Sequence, residues 1–116
     1  GMARNNALVG IVQRWVQVQP EAAANWAAGF PEGSLRTDSV DNAVRLWAER
    51  DLRAAGEWLL RLKPGRARDV GVSSYVEKLV VADPVSAESW AVAISDPVLR
   101  QRGLDVVARS RRVSGD

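Results

Sequence analysis

Four arginines recur at a fixed interval: Arg4, Arg36, Arg68 and Arg100 stand 32 residues apart. A guanidinium is a planar fork of donors that fits carboxylates and phosphates, so one arginine per interval could form a ladder for an anionic partner. The column could equally be structural. A cation at a helix N-terminus opposes the helix dipole, so each arginine needs a partner, either an acid such as Asp38 or Asp69 or the carbonyls of the preceding loop. The stretch RLKPGRAR, residues 61–68, gathers Arg61, Lys63, Arg66 and Arg68 around a turn beside a helix start, where anions are readily held. Arg36, Arg68, Arg100, Arg61, Lys63 and Arg66 are therefore the candidate partner-binding residues.

Other chemistry has little to work with. The 116-residue chain contains no histidine and no cysteine, which removes the usual general base, the thiolate nucleophile, the zinc ligands and any disulfide. Carboxylates remain: Asp38 and Asp41 lie three apart, and Ser73, Ser74 and Tyr75 are adjacent, but no orienting partner is visible for either group. The expectation is a non-enzyme with no catalytic residue, no metal and no cofactor. Arg111, Arg112 and Ser114 form a loose kinase-type signature in a tail that reads as a frayed end.

Apolar residues make up 47% of the chain and charged residues 26%, enough for one small domain with a core. The net charge is only +2, but it is uneven: residues 1–58 carry six Arg against seven acids, and residues 59–116 carry ten Arg or Lys against seven. No apolar run approaches the roughly 18–20 residues of a membrane span. The amino terminus, where Gln and Arg interrupt ALVGIVQRWVQV, does not read as a secretory leader, which favours the cytoplasm without fixing the compartment.

The arginines belong to a repeat that runs through the chain. Displacing the sequence by 32 residues aligns Trp26, Trp58 and Trp90, then Ala23, Ala55 and Ala87, then Phe30, Leu62 and Ile94. Leu8, Val40, Val72 and Leu104 follow the arginine column. Each unit reads as two helices. Ala23, Trp26, Ala27 and Phe30 form one helical stripe, with Asp51 and Asp83 as N-caps in the later copies. After a break (PEG, KPG, SDP), the second helix carries Val40, Ala43, Val44 and Trp47. The small residues Ala7, Ser39, Gly71 and Gly103 share a column, which predicts close helix crossing. The units are 19–50, 51–82 and 83–112, preceded by a half repeat over 3–18 and followed by a tail at 113–116. The predicted fold is all-α: a right-handed α-α superhelix, or solenoid, of about three and a half helix pairs and about seven helices.

The stretch DPVSAESW, with Pro84 six residues before Trp90, resembles the junction between tetratricopeptide repeats. That family has a period of about 34 residues. Here the period is 32, and the longer second helix is closer to HEAT-like repeats. The resemblance is to the repeat class only. It implies a binding scaffold without catalysis.

All five tryptophans lie on apolar stripes, and Trp26, Trp47, Trp58 and Trp90 are expected in the repeat core. In the last helix Arg111 and Arg112 replace the apolar pair Trp47 and Ala48, as a capping repeat requires. At the other end Leu8, Ile11, Val12 and Trp15 lack a first-helix partner. This surface is expected to meet another chain, with self-association one form, or to continue a longer array, and local packing of the chain back onto it is the third alternative. The expected partner is a protein or a second copy, and the alternative is nucleic acid or another polyanion bound by the arginine column and the basic loop.

Overall fold

Backbone punctuation repeats as regularly as the side chains. The computed structural model describes residues 1–115, and among them the chain is all-α, with no strand. The helices are α1 Met2–Trp15, α2 Pro20–Ala28, α3 Ser34–Arg50, α4 Leu52–Arg61, α5 Arg66–Ala82, α6 Pro84–Val92 and α7 Pro97–Ser114. Asp51 and Asp83 each end a long helix and begin a short one, with torsions of φ −151°, ψ 87° and φ −151°, ψ 84°. Their carboxylates accept the Ala54 and Ser86 N–H groups at 3.1 Å, the caps expected from their positions. Gln19 occupies the same place before α2 without a side-chain cap, and Pro20 presets the first turn instead. All three residues donate the same closing bond, 2.8 Å, to the carbonyls of Trp15, Trp47 and Leu79.

Gly33 and Gly65 precede α3 and α5 at φ 145° and 153°, with ψ near −174° and −173°, a region essentially reserved for glycine. The third junction needs no glycine, because Asp96 accepts the Val98 and Leu99 N–H groups at 2.9 and 3.0 Å and Pro97 begins the helix. Two boundaries differ from the sequence reading. The first helix stops at Trp15, and residues 16–18 turn back onto the Val12, Arg14 and Trp15 carbonyls. The last helix runs through Ser114, because no helix breaker follows Gly103 until Gly115 closes it at φ 83°.

The four long helices pack in sequence, α1 on α3, α3 on α5 and α5 on α7, and each short helix lies against the long helices on either side of it. The molecule is elongated, 45 × 28 × 25 Å. Exposure along one column shows how the layers share a core. Val12, Val44 and Val76 are wholly buried, but Ala108, the fourth member, is exposed on the side of α7 away from α5 and α6. A second column shows the opposite end. Ala43, Tyr75 and Val107 are buried, while Ile11 is 40% exposed on α1. Arg111, in the column of buried Leu79, reaches Glu88 at 3.1 Å.

Two predictions arise from this frame. The Asp83 carboxyl lies below its ordinary value because the Ser86 hydroxyl and N–H both bond to it; Asp96 is lowered by the Leu99 N–H first, then the Val98 N–H and the charges of Arg66 and Arg100. A carboxyl depressed in the folded state stabilises it above the unfolded value, about 4, and that contribution is lost as pH falls through the folded value. The melting temperature should therefore drop below about pH 4. In a variant carrying Asp83→Asn and Asp96→Asn the acid drop should be shallower; an unchanged slope would assign acid sensitivity to other carboxylates.

The second concerns Ser39, which is fully buried with no partner for its hydroxyl. It shares the small-residue column with Gly71 and Gly103, where an added Cβ would lie 3.2 Å from Leu59 Cδ2 and 3.0 Å from Ala91 Cβ. A buried hydroxyl without a partner destabilises by about 1–3 kcal/mol, and alanine is the better helix former. Ser39→Ala should raise stability by about 1 kcal/mol in urea titrations. A loss of stability would mean that the hydroxyl has a partner in solution.

Candidate functional site

Each half-buried arginine of the column serves the helix before it. Arg36 Nη1 donates to the Phe30 carbonyl at 3.3 Å, Arg68 to the Leu62 carbonyl at 3.2 Å, and Arg100 to the Ile94 carbonyl at 3.0 Å. The acceptor is always six residues back, at the C-terminal end of a short helix, where carbonyls lack intrahelical partners and the dipole is negative. The same bond therefore compensates the arginine's unfavourable place at the start of a long helix. Arg4, in the same column, is exposed on α1.

With one edge of the guanidinium fixed, the rest of Arg36 and Arg68 faces a cleft of about 340 Å³ between successive units. Arg61 and Lys63 stand on its walls, so four cations surround it, and no carboxylate lines it. Glu21 meets Arg61 at 2.9 Å and Glu32 approaches Arg36 at 3.9 Å from outside the lining. Trp58, nearly inaccessible, lines the cleft with its indole N–H donating to Asn25 Oδ1 at 2.8 Å. The structure thus brings together Arg36, Arg61, Lys63 and Arg68 from the sequence candidates. Arg66 instead pairs with Asp96 at 3.0 Å, and Arg100 lines neither this cleft nor the next.

The next cleft, about 290 Å³, is the same construction one unit along. Ala28, Arg36, Trp58, Arg61 and Leu62 of the first correspond at 32 residues to Leu60, Arg68, Trp90, Ala93 and Ile94 of the second. The chemistry has changed: Arg61 has become Ala93, and Ala28 has become Leu60. An acid also enters, because Asp69 lines the second cleft where the equivalent position of the first unit is Thr37. Asp69 is occupied with the chain itself, accepting the Ser95 and Asp96 N–H groups at 3.2 and 3.0 Å. Leu60 is 65% exposed, and Trp90 is half-buried with its ring edge-on to Tyr75 at 4.8 Å.

The sequence reading missed Leu60, Asn25 and the open face of Trp90. The 32-residue register held the signal, at positions 28, 60, 61 and 93, off the apolar stripes. Among the expected core tryptophans, Trp47 and Trp58 are buried. Trp26 is 37% exposed, packed edge-on against Trp15 and Phe30, and no described short helix lies over it as α2 lies over Trp58 through Asn25. Of the candidate self-association residues, Val12 is inside the chain's own core, Leu8 and Trp15 are half-buried, and Ile11 is exposed.

Three of the remaining polar candidates, Asp41, Ser74 and Tyr75, are bound up locally. Asp41 bonds to Ser74 and lies 3.5 Å from Arg45. Tyr75, whose phenol is raised by burial, donates to the Leu52 carbonyl at 2.9 Å. No cluster of three acids placed to hold a metal ion occurs among the described residues, and none of the described helices is long and apolar enough to cross a membrane. No protein-family model, curated protein or solved structure matches this chain.

Proposed function

We propose that this chain is a non-catalytic helical-repeat scaffold, a right-handed superhelix that binds another protein, or a second copy of itself, at the clefts between its units. The recurrence of the cleft at the 32-residue period carries this reading. A wall built from the same five positions in successive units is a continuous surface with side chains free to vary, the arrangement by which repeat proteins present a binding face. A second copy would be held by Ile11 with Leu8 and Trp15, the face of α1 that no short helix covers.

The rival reading is a nucleic-acid or polyanion binder, favoured by the four cations around the first cleft. Immobilised chain challenged with a lysate of its own organism, with and without nuclease, separates the two. A protein set that survives nuclease supports the scaffold; a set that collapses supports the polyanion reading. Binding that weakens steeply with salt would point the same way, because phosphate contacts release counterions.

A further inference from the structure

We propose that the two clefts form one groove for an extended segment of a partner protein, with an acidic side chain seated among Arg36, Arg61, Lys63 and Arg68 and an aliphatic or aromatic side chain seated against Leu60, Trp90 and Ile94. The inference rests on the scaffold reading and adds the chemistry of the partner.

Arg68 joins the compartments, since it lines both. Their characters are complementary to a two-part ligand. The first holds four cations and no carboxylate in its lining. In the second, Arg68 shares the walls with Asp69, and exposed Leu60 and half-buried Trp90 supply the open apolar surface, with the buried Val72 and Ile94 also in the lining. A buried or half-buried guanidinium with one edge already bonded to a carbonyl is oriented before any ligand arrives, so it loses little freedom in binding a carboxylate. Glu21 and Glu32 approach Arg61 and Arg36 from outside the first compartment, while Lys63 and Arg68 form no ion pair among the described residues and are the cations left for an outside anion.

Geometry sets the spacing of the ligand. The clefts are one unit apart, and packed helices are separated by about 8–10 Å. A polyproline II strand rises about 3.1 Å per residue and turns its side chains to the same side at about every third residue. An acidic residue and an apolar residue about three positions apart would therefore enter both compartments together. A nucleic acid would present phosphates to the apolar cleft as well, where only Arg68 receives them.

The test is fluorescence anisotropy with the full chain and fluorescein-labelled peptides carrying two glutamates and, three residues on, a leucine, in both sequence orders. Matched peptides replace the glutamates with glutamine or the leucine with glycine, and a thymidine oligonucleotide serves as the polyanion. The expected result is that one order binds and that either replacement weakens it about tenfold, the scale of one charge-assisted contact or one buried apolar side chain. Arg61→Glu with Lys63→Glu should remove the preference for glutamate, and Leu60→Asp the preference for leucine. All three are exposed, so the fold should survive, as circular dichroism can verify. Arg102→Glu, on the exposed face of α7, should change neither. Failure of both peptide orders to bind, equal binding of the leucine and glycine peptides, or tighter binding of the oligonucleotide overturns the proposal. The scaffold reading is separable. If the cleft variants abolish capture of a nuclease-resistant lysate protein although neither peptide binds, that reading stands and the partner chemistry is wrong. If they leave capture untouched, both fall.

Discussion

Replacing Leu59 with alanine is expected to cost about 2–5 kcal/mol, among the larger effects available in a domain whose total stability is about 5–15 kcal/mol. Leu59 is wholly buried on α4, and its Cδ2 lies 3.2 Å from where a Cβ at Gly71 would stand. The leucine thus fills the space that glycine leaves on α5. Its counterparts at 32 residues are Ala27 and Ala91, and Ala91 also faces a glycine, Gly103, so the repeat places a small residue opposite this position without fixing the volume that fills it. A double-mutant cycle makes the claim sharp. Gly71→Ala alone should destabilise, because Leu59 must give way. In the Leu59→Ala background the same change should stabilise by about 1 kcal/mol, the ordinary preference of a helix for alanine over glycine. Urea unfolding followed by tryptophan fluorescence reads both signs. The same sign in both backgrounds would show that the pair is not coupled.

Gly56→Ala should also destabilise, although glycine to alanine inside a helix normally gains about 1 kcal/mol. A Cβ at Gly56 would lie 2.4 Å from Tyr75 Oη and 2.8 Å from its Cζ, below any real contact. The ring cannot easily swing aside. It is buried, its hydroxyl donates to the Leu52 carbonyl at 2.9 Å, and it packs on Trp90. Overpacking of this kind costs about 1–3 kcal/mol, and the lost hydrogen bond adds about 1. Tyr75→Phe removes the atom at the closest approach, so Gly56→Ala should cost less in that background; thermal melts of the four proteins would show it. An equal cost in both would mean that the α4–α5 contact yields by moving the helix. Since Trp90 rests on this ring, a shift there would also alter the apolar cleft.

Much of the fold was legible because its causes are local. The Asp51 and Asp83 caps, the Gly33 and Gly65 turns and the stripes at 3.6-residue spacing each act over a few residues, and the register of 32 showed them to be one device used repeatedly. The seven helices follow from that. The two helix ends that differ, at Trp15 and Ser114, are set by local backbone bonding that the apolar pattern does not show: residues 16–18 turn back onto the Val12, Arg14 and Trp15 carbonyls, and Gly115 closes α7.

What the sequence by itself determined is the all-α class, the succession of short and long helices and the position of each arginine in its unit, all consequences of backbone hydrogen bonding and side-chain periodicity. Tertiary structure decided the rest. It placed Arg36, Arg61, Lys63 and Arg68 around one cleft and sent Arg66 to Asp96; it left Trp26 open and covered Trp58; it matched Tyr75 to Gly56 and Leu59 to Gly71. These outcomes join residues from different helices, many about one unit apart in the chain. Each depends on the volume and charge of what faces it across the stack, and equal positions in the repeat therefore acquire unequal surroundings.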